Sequence, residues 1–331
     1  MKFMVTGSSG FVGSHIVDAL ENQFSPLDIS LVVRDPMKVN ARIESGMTVF
    51  QVDITKPKSI DHAIRAFNPN VIIHAAALPD DWASFTKLME VNAQGTKNII
   101  DAMVESNIAN TLIHISSSGV YPRKTGTHIA ETTPYGPFGD YHKSKVAAEE
   151  IVKAAIEERV INGTILRPPN VMGIRDFTHM ARICQAIKNR KFPMINKGKA
   201  VQTWVAAEDL ANAVILAINS QEKANGQIYN VKSFEISVKE LYDYIVAKLD
   251  ISKPPKNYPY LLAYFGGFIS EIIGKLKGKS TTLNRYRVIK FGKDRLFDDS
   301  KIRLELGYQS KATAETTITE TVDWLIKEGI V

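Results

Sequence analysis

Short apolar runs alternate with longer amphipathic stretches through the first half of the chain. Phe3–Thr6, Ile29–Val33, Thr48–Val52, Val71–Ala75, Thr111–Ser116 and Gly163–Arg167 are rich in β-branched and other apolar residues, and the pattern predicts strands there. Between them, Val12–Asn22, Ile60–Phe67, Phe85–Ser106 and Tyr141–Glu158 carry helical patterns. Strands separated by amphipathic helices fold as βαβ units on a parallel sheet, and near-continuous apolarity suits strands covered on both faces. The expected fold class is α/β, a doubly wound parallel sheet with a smaller, mostly helical C-terminal part.

After Arg167 the pattern loosens. Pro168-Pro169 stops the strand, helices are expected near Thr178–Asn189 and Glu208–Asn219, and a strand at Ile228–Val231. Residues 232–331 read as mostly helical, with a Pro-rich break at Lys253–Pro259. The expected division is a nucleotide-binding part, 1–170 with 204–232 returning to it, and a substrate-binding part, 171–203 and 233–331.

The 331 residues carry an ordinary soluble balance, 44% apolar and 23% charged, which excludes a disordered or collagen-like chain. A single cysteine, Cys184, forms no internal disulfide and fits a reducing compartment. No uncharged apolar run approaches the ~20 residues of a spanning helix. The N-terminus moves directly into a strand without a signal-peptide pattern, so a cytoplasmic location is expected. The net charge of +6 is spread along most of the chain, which argues against nucleic acid as a partner.

Two local motifs carry chemistry. Thr6-Gly7-Ser8-Ser9-Gly10-Phe11-Val12-Gly13 follows the first strand and opens the first helix. Glycines permit a tight turn and a close backbone approach to a pyrophosphate, and the helix N-terminus offers N–H groups and partial positive charge. Tyr141-His142-Lys143-Ser144-Lys145 places Tyr and Lys at i and i+4, on one helix face. An ammonium beside a phenol favours the phenolate, which suits Tyr141 to proton transfer near neutral pH.

The Gly-x-x-Gly-x-x-Gly spacing resembles the extended short-chain dehydrogenases/reductases, and further segments match that family in order. Val52-Asp53-Ile54 resembles its adenine-contacting turn. His74-Ala75-Ala76-Ala77 resembles the small-residue turn against the cofactor, Asn92 lies in its helix asparagine motif, and Pro168, Asn170 and Val171 resemble the turn beside the nicotinamide. Leu306-Gly307-Tyr308 and Val322-Asp323-Trp324-Leu325 resemble its C-terminal end, so the likeness spans nearly the whole chain. It implies a Rossmann-type sheet and a nicotinamide cofactor. The cofactor-binding residues it implies are Thr6, Gly7, Ser9, Gly10, Phe11, Val12, Gly13, Arg34, Lys38, Asp53, Ile54, Ala75, Ala76, Ala77, Asn92, Ser116, Tyr141, Lys145, Pro168, Asn170 and Val171. Tyr141 would be the general acid/base and Lys145 its activator and ribose anchor. Among Ser116, Ser117 and Ser118 the register favours Ser117, with Ser118 second, as the group that hydrogen-bonds the substrate oxygen. Asn92 either holds a water beside Lys145 or simply bends its helix. Val32-Val33-Arg34-Asp35-Pro36 resembles the NADPH-using dihydroflavonol reductase group, so NADP(H) is expected, with NAD kept open by Asp35.

The segments Tyr258–Lys279 and Leu283-Asn284-Arg285-Tyr286 resemble the 3β-hydroxysteroid dehydrogenase and dihydroflavonol reductase branch. The expected activity is oxidation or reduction of a hydrophobic secondary alcohol or ketone. A nucleotide-sugar epimerase or dehydratase is the alternative and a non-catalytic cofactor sensor the second. Pro79, Trp82, Met172 and Tyr264 are candidates for the substrate pocket. No His or Cys cluster has metal-ligand spacing, and His74 and His114 are expected to pack and hydrogen-bond in their strands. Cys184 and Trp204 read as core and Arg175-Asp176 as a surface ion pair. Tyr258–Lys279 has three readings: a pocket wall, an interfacial helix on an anionic surface with a weak peripheral membrane contact, or a plain core helix. A homodimer through the Phe85–Ser106 and Tyr141–Glu158 helices is also expected.

Overall fold

The structure is a computed structural model that describes residues 1–80, 83–123, 126–251, 255–277 and 285–331; the side chains of 274–277 and 286 are outside that description. The strands are β1 (Phe3–Thr6), β2 (Ile29–Val33), β3 (Thr48–Gln51), β4 (Val71–His74), β5 (Thr111–Ile115), β6 (Asn162–Arg167), β7 (Asn170–Met172), β8 (Met194–Ile195), β9 (Val201–Ala206), β10 (Ile228–Asn230), β11 (Phe234–Ser237) and β12 (Asn257–Tyr258). The α-helices are α1 (Phe11–Glu21), α2 (Asn40–Glu44), α3 (Pro57–Phe67), α4 (Phe85–Leu88), α5 (Gly95–Ser106), α6 (Asp140–Glu157), α7 (His179–Lys188), α8 (Ala207–Asn219), α9 (Gln221–Ala224), α10 (Val238–Leu249), α11 (Tyr260–Lys277), α12 (Arg285–Gly292), α13 (Ser300–Leu306) and α14 (Ala314–Lys327).

Seven strands form one parallel sheet in the order β10-β6-β5-β4-β1-β2-β3. The order reverses between β1 and β4, and in open α/β sheets a crevice forms there at the carboxyl ends of the strands. Alternate residues serve opposite faces. Phe3, Val5, Leu31, Ile73 and Ile113 pack with Ile16 and Leu20 of α1 and Leu210 and Val214 of α8. Met4, Val32, Ile72 and Leu112 pack with Ile60 of α3, Ile99 of α5 and Val152 of α6. The edge strand β3 departs from the expected apolar run, with Thr48 and Gln51 exposed.

Of the stretch expected to return to the sheet, β10 joins β6 and α8 packs on α1. Trp204–Ala206 instead belongs to β9, in a separate three-stranded sheet of order β11-β9-β7. A further core lies over that small sheet, with Met172, Cys184, Trp204, Leu241 and Ile318 among its members. The region expected as one helix at Phe85–Ser106 is interrupted by a π-helical stretch, Met89–Gln94. Among the described residues no helix is long and apolar enough to cross a membrane.

Candidate active site

The turn after β1 is built for glycine. Gly7 has φ +71°, and a Cβ on it would lie 2.7 Å from the Ala76 backbone. A Cβ on Gly13 would lie 2.1 Å from the Gly7 carbonyl oxygen, and one on Gly10 3.1 Å from the same atom. No side chain caps α1, whose N-cap is Gly10. A backbone cradle that any Cβ would fill, opening on an uncapped helix N-terminus, fits a dinucleotide pyrophosphate. Ser9, Phe11 and Val12 lie on this turn and first helical turn, with Ser9 exposed.

The ends of β1 and β4 are tied together. The Thr6 hydroxyl donates to His74 Nδ1 at 2.7 Å, and His74 Nε2 donates to Thr96 Oγ1 at 2.9 Å, because that hydroxyl is itself committed to the Asn92 carbonyl at 2.6 Å. The Ala76 N–H donates back to Thr6 Oγ1 at 3.3 Å, so Ala75–Ala77 are held against the glycine turn. Burial, and after it the Lys145 charge, lower the His74 pKa from 6.5 to about 3. His114 lies beside it at 5.3 Å between ring centroids. Contrary to expectation it packs without hydrogen bonds: both of its ring nitrogens are buried and unpartnered among the described residues.

Asn92 sits in the π-helical stretch. Its Oδ1 accepts from the Leu78 N–H at 2.7 Å, and its Nδ2 donates to Ser144 Oγ at 2.9 Å. It thereby ties the loop after β4, with exposed Pro79 next along the chain, to α6.

Helix α6 carries Tyr141 half-buried and Lys145 buried, one turn apart on one face. Lys145 Nζ donates to the Ile115 carbonyl at 2.8 Å, which seats the ammonium under the end of β5. Burial lowers its pKa from 10.5 to about 8, with Glu149 pulling the other way. The three serines that follow β5 are distinct. Ser116 is buried, and its hydroxyl donates to Glu149. Ser117 is half-buried at the start of a 3-10 turn, and its Oγ accepts from the Gly119 N–H at 3.1 Å. Ser118 is buried, and its N–H donates to the Pro168 carbonyl at 2.8 Å. His142 fills the space beside Gly119, where a Cβ would meet its ring at 1.8 Å, and its Nδ1 donates to the Phe138 carbonyl at 2.7 Å.

Several supports have no local sequence signal. Arg295 donates to the carbonyls of Ser118 (3.0 Å) and Pro122 (3.2 Å), clamping the serine turn from a distant part of the chain. Glu149, fully buried, accepts from Ser116, from the Tyr135 hydroxyl at 2.8 Å and from Arg167 at 2.6 Å. Arg167 Nη1 reaches the Tyr121 hydroxyl at 2.8 Å, which donates to Asn230 at 2.7 Å. Burial opposes the Arg167 charge, yet Glu149 and Tyr121 hold its pKa raised.

The remaining candidates are more dispersed. Arg34 and Lys38 are exposed after β2, and the Asp35 carboxylate accepts from the Met37 N–H at 3.1 Å, capping a 3-10 turn. Asp53 is exposed and held by Thr55, whose N–H bond lowers its pKa, while the Ile54 side chain packs over Gly95. Asn170 and Val171 are half-buried on β7 just after buried Pro168, and Asn170 Nδ2 donates to the Thr203 carbonyl at 3.2 Å. Met172, expected at the substrate, is enclosed in the core with Cys184 and Trp204 and acts in packing. Tyr264 stacks on Tyr260, at 6.1 Å, beside Ile195, Ala263 and Val288. Trp82 lies outside the described residues. Arg175 and Asp176 are not each other's partners: Arg175 pairs with Asp18, and buried Asp176 caps α7 through the N–H groups of Thr178, His179 and Met180.

Residues 3–231 match the family model described as the NAD dependent epimerase/dehydratase family. The N-acetyl-alpha-D-glucosaminyl-diphospho-ditrans,octacis-undecaprenol 4-epimerase of Escherichia coli O157:H7 is 26% identical over 97% of this chain and 92% of its own. The decarboxylating sterol-4-alpha-carboxylate 3-dehydrogenase of Saccharomyces cerevisiae is 26% identical over 99% and 98%. The UDP-glucuronic acid 4-epimerase of Bacillus cereus, solved with NAD, superposes with a TM-score of 0.78 at 18% identity, covering 99% of both chains.

Proposed function

The chain belongs to the NAD dependent epimerase/dehydratase family, within the extended short-chain dehydrogenases/reductases, and from that premise we propose that it interconverts a secondary alcohol and a ketone on a hydrophobic substrate by hydride transfer. The observation that carries this reading is the seating of Lys145, one helical turn from Tyr141, on the carbonyl of Ile115, the last residue of β5, which stands two residues before Ser117. A bound nicotinamide supplies the hydride acceptor or donor. Tyr141 Oη gives or takes the proton of the substrate oxygen, and the Lys145 ammonium favours the phenolate. Ser117 Oγ orients the same oxygen, while Asn92 and Arg295 hold the flanking turns. Residues 1–170 with 204–232 serve the cofactor and the rest the substrate.

Tyr141→Phe keeps the ring and removes the proton. On a panel of steroid, flavonoid and aldehyde substrates read by nicotinamide absorbance, turnover falls about 10³-fold while cofactor still binds. Wild-type turnover in that variant defeats the assignment.

NADP(H) is the preferred cofactor in this reading. The Asp35 carboxylate caps Met37, which leaves the Arg34 guanidinium as the group suited to a 2′-phosphate. Arg34→Ala weakens NADPH binding about tenfold in a fluorescence titration and leaves NADH unchanged. NADH binding more tightly than NADPH in both proteins reverses the preference.

One observation favours a sugar-nucleotide substrate instead. A cavity of ≈ 850 Å³ is lined by Arg123, Lys197, Lys199, Asn257, Lys293 and Asp294 among others, and its cations suit a diphosphate. Epimerisation without net change in nicotinamide absorbance identifies that case. A groove of Met89, Ala93, Ala147, Ile151 and Ala154 between the π-helical stretch and α6 supports a homodimer through these helices.

A further inference from the structure

We propose that the outer face of α11 is a docking surface for an anionic lipid bilayer, on which the protein sits peripherally. This rests on the surface alone and not on the reaction assigned above.

The helix is anchored on one side. Ala263 is buried with Ile195 and Val288, Tyr260 and Tyr264 close that cluster, and the Tyr260 N–H donates to Asn196 at 2.9 Å. The other side is bare. Leu261 is 69% exposed, Leu262 66%, Phe265 62%, Phe268 43%, Ile269 57%, Ile272 45% and Ile273 44%. At 100° per residue these seven positions fill an arc of about 140°, and no charged residue falls among them. Elsewhere a single exposed apolar side chain such as Leu304 needs no partner, and exposed Phe177 packs edge-on against Trp324 at 4.9 Å. A continuous arc does. These exposures set the segment apart from a plain core helix.

Charge selects the occupant. The chain carries seven basic and no acidic residues from 274 to 293: Lys275, Lys277, Lys279, Arg285, Arg287, Lys290 and Lys293. Helix α12 packs on α11 and brings part of this charge alongside. Arg285 pairs with Glu271 at 2.7 Å and lies over the Phe268 ring at 4.8 Å, so the acid near the arc is already matched. Two copies apposed through this face would set like charges together, whereas an anionic headgroup layer offers the complementary charge and an apolar layer beneath it. The helix runs along the surface with leucine and phenylalanine at the acyl boundary and cations at the headgroups.

Flotation of the full chain tests this. The vesicles are phosphatidylcholine, alone or with about 30% phosphatidylglycerol, in about 0.05 M or about 0.5 M salt. The expected result is flotation with anionic vesicles at low salt, at least about tenfold weaker at high salt. The combined variant Leu261→Ser, Phe265→Ser, Ile269→Ser floats at least about tenfold less while keeping its Tm and its turnover of a water-soluble substrate. A polarity-sensitive dye on Phe265→Cys shifts to the blue when anionic vesicles are added, an independent reading of the same contact. No flotation and no dye shift overturns the proposal, as does a triple variant that floats like the native chain. Concentration-dependent dimerisation abolished by the triple variant, without vesicle binding, also overturns it and assigns the face to a second copy.

Discussion

Helices α6 and α11 are both 18 residues long and break the usual rule of burial in opposite directions. Helix α6 takes Lys145 and Glu149 out of water, whereas α11 leaves Leu261, Phe265 and Ile269 in it. Each departure has a different physical remedy. A buried charge is tolerated only where fixed partners replace its hydration, and here Ile115, Ser116, Tyr135 and Arg167 do so. An exposed apolar arc has no internal remedy and is relieved only by something outside the chain. The first helix therefore points to chemistry inside the molecule and the second to a surface beyond it.

The contrast breaks first if the buried charges of α6 prove dispensable. Glu149→Ala leaves Arg167 as an unpaired cation at 3% side-chain exposure and strands the hydroxyls of Ser116 and Tyr135. The expected loss is about 3–5 kcal/mol in urea unfolding. Because Ser116 precedes Ser117, the serine turn loosens as well, and turnover falls in whatever fraction remains folded. A loss below about 1 kcal/mol means the network is solvated, and the difference between the two helices collapses.

Acid sharpens the same contrast. His74 has a folded pKa of about 3, below its ordinary value of 6.5, so the unfolded chain binds the extra proton between those limits. The stabilisation is full above pH 6.5 and is lost as pH falls towards 3. From pH 6.5 to 5 this one residue removes about 2 kcal/mol, and His114, shifted the same way, adds to the slope. Urea unfolding at several pH values reads it. His74→Asn flattens the slope, and the α11 serine variants leave it intact. A slope unchanged by His74→Asn places its proton uptake elsewhere.

The difference between the helices also explains how much could be read in advance. The glycine turn and the Tyr141–Lys145 pair are local patterns, each within eight residues of chain, so their spacing, read together and with the family resemblance, made them candidates. The central strands were legible for the same reason, since burial on both faces writes an unbroken apolar run. Glu149, Arg167 and Asn230 meet from three separate elements and Tyr121 from the loop after β5, and nothing local marks any of them as a partner. Arg295 reaches the serine turn across more than 170 positions of chain. Asp176 looked like half of an ion pair because its real partners, the first N–H groups of α7, are backbone and invisible to composition. For α11, hydropathy disclosed an apolar helix but not which of its faces would find a neighbour, and it did not disclose the elements that Met172 and Tyr264 pack against.

The smallest effect is the most specific to α11. Phe265 is 62% exposed, so replacing it by serine in solution removes little buried area and leaves helix propensity nearly unchanged. The expected change in unfolding free energy is within about 0.5 kcal/mol. The same type of change at Val152 of α6, which is fully buried, costs on the order of 3 kcal/mol, because it opens a cavity and encloses a hydroxyl. The pair of variants therefore measures whether apolar residues on the two helices do the same work. If Phe265→Ser costs more than about 2 kcal/mol with no vesicles present, its ring is packed in the free protein, and α11 is a structural helix like α6. If it costs almost nothing and Val152→Ser costs the full amount, folding does not explain the arc on α11, and an external surface is the remaining reason for its composition.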